Sequence, residues 1–360
     1  MKRIFKALLI CALSLMFLVS CSRGSKSSGT TSQHPDDQPY EQTNTMMDTV
    51  ITLKAYGTNA KTAVDESFKR LDEIDKLAST TISTSDVYKI NAAAGKEYVK
   101  VHPEIIKMIE TSIRYSKLSG GAFDITTGPI INLWGIGTDK ERLPSGPEIK
   151  TKLSLVGYNN ISINKSDNSV MLQKEGMAID LGGLAKGFAA DEVLKIYDKY
   201  EIKKGLINLG SSTIYAVGTN QDGKPWSVGI KHPRNDDSST YLGIIRISNQ
   251  ALSTSGDYER FFIKDGKRYH HIINPSTGYP ADTGVMSDTI VIDNKVPDKN
   301  MVADILTTTV FVLGPQKGIQ FVDNLEGVSC EITGTDNKIY TSKGFKDKIS
   351  NLGSDFKFAN

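Results

Sequence analysis

Apolar residues recur along this chain with two different periods, and each period occupies its own stretch. Thr49–Tyr56 alternates apolar and polar side chains, which predicts a strand with one buried face. From Asn59 onward the spacing becomes that of a helix. The apolar side of that helix carries Val64, Phe68, Leu71, Ile74 and Leu77. Pro103 opens a second helical pattern that stops at Gly120. We expect both helices to be structural.

The second half of the chain has the pattern of short strands with a later helix. Over residues 161–179 and 206–263, β-branched and aromatic runs are broken by turn sequences, which predicts hairpins. Residues 288–292 predict a strand, 301–313 a helix and 328–340 a closing hairpin. Because helices and antiparallel hairpins fall in separate blocks, the sequence predicts an α+β fold of layered helices and largely antiparallel sheets. It is expected as one large domain or two fused lobes.

The first twenty residues have the order of a secretory signal peptide. Basic residues precede an apolar run over 7–19, and small residues precede Cys21. The run is too short for a comfortable transmembrane helix, and residues 18–21 resemble a lipobox, in which the cysteine is acylated. We expect residues 1–20 to be removed and Cys21 to carry a lipid that anchors the chain to the cell membrane, facing the extracytoplasmic side. The alternative is a plain signal peptide with Cys21 incidental.

Composition indicates a tether after the signal peptide and argues against a disulfide and against nucleic-acid binding. Residues 21–45 are polar, which predicts a flexible tether before a domain over residues 46–350. Cys330 has no partner if Cys11 leaves with the signal peptide and Cys21 carries lipid, so no disulfide is available. The net charge of +2 and the lack of a basic stripe with interleaved aromatics give no support to nucleic-acid binding.

Residues 178–187 combine an apolar run with Asp180, two glycines and Lys186. Glycine lacks the Cβ that would keep a phosphate from the backbone, and the helical pattern that follows would point free N–H groups at an anion. The segment therefore predicts a nucleotide phosphate site, although an ordinary turn after a strand has the same composition. The chain has no Gly-x-Gly-x-x-Gly, Walker or Gly-x-Ser-x-Gly signature.

A carboxylate and a hydroxyl lie four residues apart in the last predicted helix. Asp304 and Thr308 would share one face of it, and both supply oxygen. Mg²⁺ prefers oxygen ligands and is typically held by one or two protein groups together with substrate phosphates. The alternative is that Asp304 caps the helix or faces solvent while the threonines at 307–309 only pack.

Two further segments carry candidate chemistry. His270 and His271 precede a polar turn over 272–278, and adjacent strand residues point to opposite faces, so one of them is able to face a cleft as a general base or phosphate ligand. Two half-buried sheet histidines are the alternative. Phe123 and Trp134 stand among glycines, where they would stack on a heterocycle or fill the core. Residues 253–258 predict a turn of small residues between strands.

Seven segments, in this order, resemble the ApbE family of FAD:protein FMN transferases. They are the motifs at residues 46–49, 121–135, 180–187, 208–210, 255–258, 271–278 and 303–308. The resemblance extends over about residues 45–345. It implies a single large ApbE-like domain with a T-fold-like arrangement of helices and sheets.

The resemblance also implies a reaction. The enzyme would use FAD as substrate with Mg²⁺, transfer the FMN moiety to a Thr or Ser hydroxyl of an extracytoplasmic acceptor protein, and release AMP. By motif position, Asp304, Thr308 and the carbonyl of Gly183 would ligate the metal, and His271 would be the base. Contacts with FAD are implied for Met47, Ala122, Phe123, Asp124, Asp180, Lys186 and Ile272.

The chain departs from the family pattern at three places. Asp48 stands where glycine is common, Asn274 where aspartate is frequent, and Thr80-Thr81 near where many relatives have an aromatic residue beside the flavin. The acceptor signature implied is Asp-x-x-Ser/Thr-Gly-Ala-Ser/Thr, which residues 304–310 lack, so the acceptor is expected to be another chain. Two alternatives stay open: an FAD pyrophosphatase that yields FMN and AMP, and a lipoprotein that binds flavin without catalysis.

Overall fold

The computed structural model describes residues 38–235, 237 and 240–359, and within them the backbone forms eight helices and seventeen strands. The helices are α1 (Ala60–Ala78), α2 (Asp86–Ala92), α3 (Pro103–Leu118), α4 (Gly128–Trp134), α5 (Gly146–Leu153), α6 (Ala185–Lys199), α7 (Lys299–Leu313) and α8 (Pro315–Val322). The first nine strands are β1 (Pro39–Met46), β2 (Thr49–Tyr56), β3 (Val99–Lys100), β4 (Ile161–Asn164), β5 (Ser169–Leu172), β6 (Gly205–Leu209), β7 (Thr213–Val217), β8 (Trp226–Lys231) and β9 (Tyr241–Ile247). The others are β10 (Gln250–Gly256), β11 (Phe261–Lys264), β12 (Lys267–His270), β13 (Val285–Asp293), β14 (Val328–Gly334), β15 (Lys338–Thr341), β16 (Ile349–Ser350) and β17 (Lys357–Phe358).

A nine-stranded sheet, in the order β1-β2-β6-β7-β10-β13-β14-β15-β17, is the centre of the fold. Its neighbouring strands are antiparallel except β15 and β17, which are parallel. Three small sheets accompany it, namely β11-β12, β16-β9-β8 and β3-β5-β4. The predicted α+β class with largely antiparallel sheets is therefore confirmed.

The central sheet is buried on both faces by different partners. Ile290 and Ile292 of β13 point to one face and belong to the core formed with α1, α6 and α7. Val291, between them, points to the other face and packs with residues of β8 and β9. This is why β13 is buried at every position except Asp293, and its run Ile290–Ile292 is continuously apolar, since a strand covered on both sides gains from burial of successive side chains.

The longer predicted helices α1, α3 and α7 begin and end within about two residues of their predicted bounds. In α3, Pro103 occupies the first turn, where its missing N–H costs nothing, and the His102 side chain accepts a hydrogen bond from the N–H of Glu104. Helix α7 ends at Gly314, which has φ +78°, and Pro315 starts α8. In the described ranges no helix combines the length and apolarity needed to cross a bilayer.

Two predicted boundaries of the domain are wrong. Residues 39–45, expected in the tether, form most of β1, which pairs with β2 along its whole length through a turn at Met47 and Asp48 (φ +51° and +56°). Strand β1 has exposed and half-buried positions only, so its stability comes from backbone pairing that composition does not reveal. The domain also continues past residue 350, because β17 pairs with β15. The predicted signal peptide and Cys21 lie outside the described residues.

Candidate functional site

Asp304 is the most buried acidic residue of the site. It lies on α7 against β7 and β10, where its Oδ1 accepts hydrogen bonds from Thr213 Oγ1 (2.8 Å) and Ser253 Oγ (2.6 Å). Its Oδ2 accepts one from the backbone N–H of Gly187 (2.7 Å). Burial raises the pKa of Asp304, and the charge of Lys186 partly opposes that rise. The carboxylate is thus fixed in orientation, and Oδ2 keeps a lone pair for a further ligand.

One helical turn later, Thr308 presents a free hydroxyl. The neighbouring hydroxyls of Thr307 and Thr309 donate to the carbonyl oxygens of Asp304 and Ile305, both at 2.8 Å. No group in the described part of the chain makes a hydrogen bond with the Thr308 hydroxyl, and the residue is half-buried. Thr307 and Thr309 therefore use their hydroxyls within the helix, whereas the Thr308 hydroxyl remains available to a ligand.

Gly183 lies between Thr308 and an aromatic ring. A Cβ placed on Gly183 would be 3.8 Å from Thr308 Oγ1 and 3.3 Å from Phe123 Cε2. Gly183 is exposed, whereas Phe123 is buried. A larger residue here would push on the phenyl ring, so glycine keeps open the space beside the threonine hydroxyl.

The two other glycines of this segment have different roles. Gly182 donates its N–H to Asp180 Oδ1 at 2.7 Å, which shapes the turn before α6. A Cβ on Gly187 would lie 2.2 Å from the carbonyl oxygen of Asn300, so glycine allows α6 and α7 to approach closely. That approach is what brings the Gly187 N–H to Asp304. Gly187 therefore acts on helix packing.

Lys186 and His271 complete the polar cluster. The charge of Lys186 acts on the pKa of both Asp304 and His271, which places all three side chains in one neighbourhood. His271 is half-buried and follows β12. Burial, followed by the charges of Arg260, His270 and Lys186, lowers the pKa of His271 to about 3, so its imidazole is neutral at pH 7.

The backbone selects the tautomer of His271. The carbonyl oxygen of Arg260 accepts a hydrogen bond from the His271 N–H (3.1 Å) and lies 3.3 Å from Nδ1. A carbonyl oxygen only accepts, so this contact places the proton on Nδ1 and leaves Nε2 free to take one. His270 instead is buried, with Nε2 3.0 Å from the carbonyl oxygen of Ala281. Of the pair, only His271 keeps a ring nitrogen, Nε2, without a hydrogen-bond partner among the described residues.

The motif around Phe123 is held by its own aspartate. Asp124 is buried, and its Oδ1 accepts from the N–H and hydroxyl of Thr126 (2.8 and 2.6 Å), while Oδ2 accepts from the N–H of Tyr158 (2.9 Å). Burial raises the pKa of Asp124. Both carboxylate oxygens of Asp124 are therefore used in hydrogen bonds within the protein. Asp124 holds this loop, which includes buried Ala122 and places Phe123 beside Gly183.

Trp134 belongs to the core. Its Nε1 donates to the carbonyl oxygen of Gly278 (2.8 Å), and its ring stacks on Tyr269 with centroids 5.5 Å apart. Trp134 thereby supports the turn that follows His271, and of the two aromatic candidates only Phe123 borders the polar cluster. Ile272 is likewise buried, and its N–H donates to His270 Nδ1 (3.3 Å).

Met47 reaches this end of the sheet through a pair of turns. It lies in the β1–β2 turn, and the N–H of Gly210, in the β6–β7 turn, donates to the carbonyl oxygen of Val50 (3.0 Å). The β6–β7 turn leads directly into Thr213, the partner of Asp304. The turn that contains Met47 therefore lies at the same end of the sheet as Thr213, and no described hydrogen bond joins Met47 to Asp304.

Sequence reasoning missed the residues that hold Asp304. Residues 253–256, predicted as part of a turn, belong to β10, and Ser253 points from that strand to Asp304. A clue existed, because small polar residues in an otherwise buried strand need a partner. Thr213 carried no such signal, since its contact with Asp304 spans 91 residues.

The fold and the site define a single-domain α+β protein that gathers a carboxylate, a free hydroxyl, a lysine and a neutral histidine at one end of a central sheet. No three His, Cys, Asp or Glu side chains in the described ranges are grouped as a metal site. A sequence model of the ApbE family matches residues 47–332, which is most of the chain. The chain belongs to the ApbE family.

Named relatives agree with this membership. A protein of Klebsiella pneumoniae (strain 342), named FAD:protein FMN transferase, is 31% identical over 322 residues, covering 89% of this chain and 98% of its own. One of the same name from Treponema pallidum (strain Nichols) is 29% identical and covers 88% and 90%. The structure of the ApbE protein from Thermotoga maritima MSB8 matches with TM-score 0.79 and 33% identity, covering 87% and 100%. The flavin transferase ApbE from Vibrio cholerae matches with TM-score 0.76 and 28% identity, covering 86% and 99%.

Proposed function

We propose that this protein transfers the FMN moiety of FAD to a Thr or Ser hydroxyl of an acceptor protein, with Mg²⁺ as cofactor and AMP as the second product. The observation that carries the proposal is that Asp304 and Thr308, one turn apart on α7, meet Gly187 and Gly183 respectively, with Lys186 and His271 in the same neighbourhood. The names of the relatives support flavin transfer to protein.

The donor set suits magnesium. Asp304 Oδ2 retains a lone pair, the Thr308 hydroxyl lacks a protein partner in the described residues, and the backbone of exposed Gly183 is adjacent to it. All three are hard oxygen donors, and with one carboxylate among them the remaining ligands would be substrate phosphates and water. When bound, the ion would neutralise charge on the FAD diphosphate and orient it.

The other residues have distinct tasks in this proposal. The ammonium group of Lys186 balances negative charge that develops on the phosphates, and Phe123 and Met47 border the space for FAD. His271 Nε2 takes the proton of the acceptor hydroxyl as its oxygen attacks the FMN phosphorus. A new phosphorus–oxygen bond forms, the phosphoanhydride bond breaks, and AMP leaves with the displaced electron pair. The product is a phosphoester between FMN and the acceptor.

The same proposal includes a cellular location. The basic, apolar and small-residue order of residues 1–21 supports export and acylation of Cys21, which would hold the domain at the extracytoplasmic side of the cell membrane. Mass spectrometry of the mature protein tests this directly. A diacylglycerol-modified Cys21 at the N-terminus is the expected result, and an unmodified terminus elsewhere contradicts it.

One assay tests transfer against its alternatives. Purified mature protein is incubated with FAD, Mg²⁺ and an acceptor domain that contains Asp-x-x-Thr-Gly-Ala-Thr, and in-gel flavin fluorescence, free FMN and AMP are measured together. We expect a fluorescent acceptor band with one AMP per flavin attached. Free FMN and AMP without a band indicate hydrolysis, and FAD retention without AMP indicates a binding protein. An acceptor in which the modified Thr is replaced by Val is the matched control.

A further inference from the structure

Arg260 is tied to His271 by the backbone. It precedes β11, and its carbonyl oxygen accepts the His271 N–H at 3.1 Å and contacts Nδ1 at 3.3 Å. The backbone of Arg260 therefore helps to orient the imidazole. The charge of Arg260 also lowers the pKa of His271, so the guanidinium lies in the neighbourhood of the group that would meet the acceptor hydroxyl.

The Arg260 side chain is supported along its length but not at its charged end. Three of its side-chain carbons lie 3.1–3.4 Å from the position that a Cβ on Gly137 would occupy. Gly137 has φ +80° and lacks a side chain, which gives the aliphatic part of Arg260 a surface to lie on. Arg260 is nevertheless exposed. Its supported stem and exposed head make the guanidinium available to a second molecule.

No acidic residue in the described part of the chain forms an ion pair with the Arg260 guanidinium. The contrast with Arg234 is informative, because Arg234 makes two bonds with Asp257 at 2.6 and 2.7 Å. A planar guanidinium is well suited to bind a carboxylate through two parallel hydrogen bonds. Arg260 has this capacity and no partner within the described ranges that uses it.

The position of Arg260 indicates which substrate supplies the anion. The backbone of Arg260 contacts His271, whereas the hydrogen-bond partners of Asp304 are Gly187, Thr213 and Ser253. Within the described hydrogen bonds, Arg260 is thus linked to the proposed base and not to the residues that hold Asp304. Because His271 must meet the acceptor hydroxyl, the acceptor chain passes Arg260 on its way.

We propose that Arg260 is a specificity-determining residue that binds a carboxylate of the acceptor segment while the acceptor hydroxyl lies at His271. This inference rests on the proposed transfer function. A carboxylate three residues from the hydroxyl spans at most about 10 Å of extended chain, which suits two neighbouring contacts. Selection would come from the paired charge, because an acceptor without that carboxylate leaves the guanidinium unmatched.

A double-mutant cycle tests the proposal. The mature protein and its Arg260→Gln variant are each assayed with the acceptor domain that contains Asp-x-x-Thr-Gly-Ala-Thr and with a version whose Asp is replaced by Asn. We expect either single change to raise the KM for acceptor by about 10-fold to 100-fold, as for loss of a charge-assisted hydrogen bond. The double change should add less than about 3-fold further, because both remove one interaction. The KM for FAD should stay within about 2-fold.

Two control variants separate the outcomes. Arg246→Gln, an exposed arginine on β9, should leave every constant unchanged. Arg260→Lys keeps the charge but loses the paired geometry, so it should recover part of the lost affinity. A parallel rise in the KM for FAD, or fully additive effects in the cycle, overturns the proposal. If the unaltered protein attaches no flavin to either acceptor, the transfer function itself has failed.

Discussion

Replacing Asp304 by asparagine separates the charge of this side chain from its packing. In the native site Oδ1 accepts from two hydroxyls and Oδ2 from the Gly187 N–H. In Asp304→Asn, an amide that turns its oxygen toward Gly187 keeps that bond, and its NH₂ group donates to the oxygens of Thr213 and Ser253. Ser253 remains able to donate to the carbonyl oxygen of Ser212, 3.0 Å away. Each polar group thus keeps a partner.

The expected stability change is therefore small. We expect the free energy of unfolding of Asp304→Asn to stay within about 1 kcal/mol of the unaltered protein. Burial raises the pKa of Asp304, so folding disfavours its ionised form, and the unaltered protein loses stability as the pH rises through that raised pKa. The amide has no such charge. Relative to the unaltered protein, the variant should be most stable at neutral pH, and its advantage should shrink as the pH falls.

Activity should respond very differently. An amide is a much weaker magnesium ligand than a carboxylate, so we expect flavin transfer to fall by about 100-fold or more. Urea unfolding followed by tryptophan fluorescence measures stability, and initial rates over a range of Mg²⁺ concentrations measure activity. Asp304→Ala is the matched control, because it leaves the Gly187 N–H and the Thr213 hydroxyl without their partner and should cost about 2–4 kcal/mol.

Either of two results would refute this reasoning. An asparagine variant that turns over at the normal rate at every Mg²⁺ concentration removes Asp304 from the metal site. One that unfolds as readily as the alanine variant shows that the amide does not take over the hydrogen bonds.

Three other outcomes are expected. Since the pKa of His271 is lowered to about 3, kcat/KM should stay flat as the pH falls from about 8 to about 5. A decrease in kcat/KM centred near the ordinary histidine pKa of about 6.5 contradicts a neutral His271. The folding stability that comes from this lowered pKa is present above about pH 6.5 and is lost as the pH falls toward about 3. Thr308→Val should raise the Mg²⁺ concentration for half-maximal rate by about 10-fold, whereas Thr309→Val should not, and equal effects would mean that the free hydroxyl has no special role. Gly187→Ala places a Cβ 2.2 Å from a backbone oxygen, so it should lower the free energy of unfolding, measured with urea, by about 3 kcal/mol or more. Gly146→Ala, where a Cβ meets open space, should not destabilise the protein. Equal unfolding curves for the two variants would contradict the close packing of α6 on α7.

Local chemistry in the sequence was enough to predict the longer helices. Helix α1 follows from apolar residues at helical spacing, and α3 and α7 from the same signal with Pro103 and Gly314 at their ends. These features act between residues a few positions apart, so the sequence displays them directly. Helices α2, α4, α5 and α8 were not predicted, because segments of seven or eight residues carry too few turns to show a period.

Strand β1 shows the other limit. Its side chains are exposed or half-buried, so no apolar pattern marks it, and its hydrogen bonds go to β2. The stabilising interaction belongs to the pair of strands. A polar segment that pairs with a neighbouring strand has the same composition as a polar tether. Whether it forms a strand depends on an unpaired strand edge beside it, which composition does not show.

The candidate side chains of the site are already visible in the order of residues: the Asp304 and Thr308 pair on one helical face, the glycines before α6, and His271 next to His270. Their roles depend on the folded arrangement. In the folded protein Gly187 allows two helices to pack closely, Asp124 holds its own loop and Trp134 lies in the core. Thr213 and Ser253 lie against Asp304 and hydrogen-bond to it. The physical reason is that these roles depend on burial and on hydrogen bonds between distant segments, which form only when the sheet and helices pack.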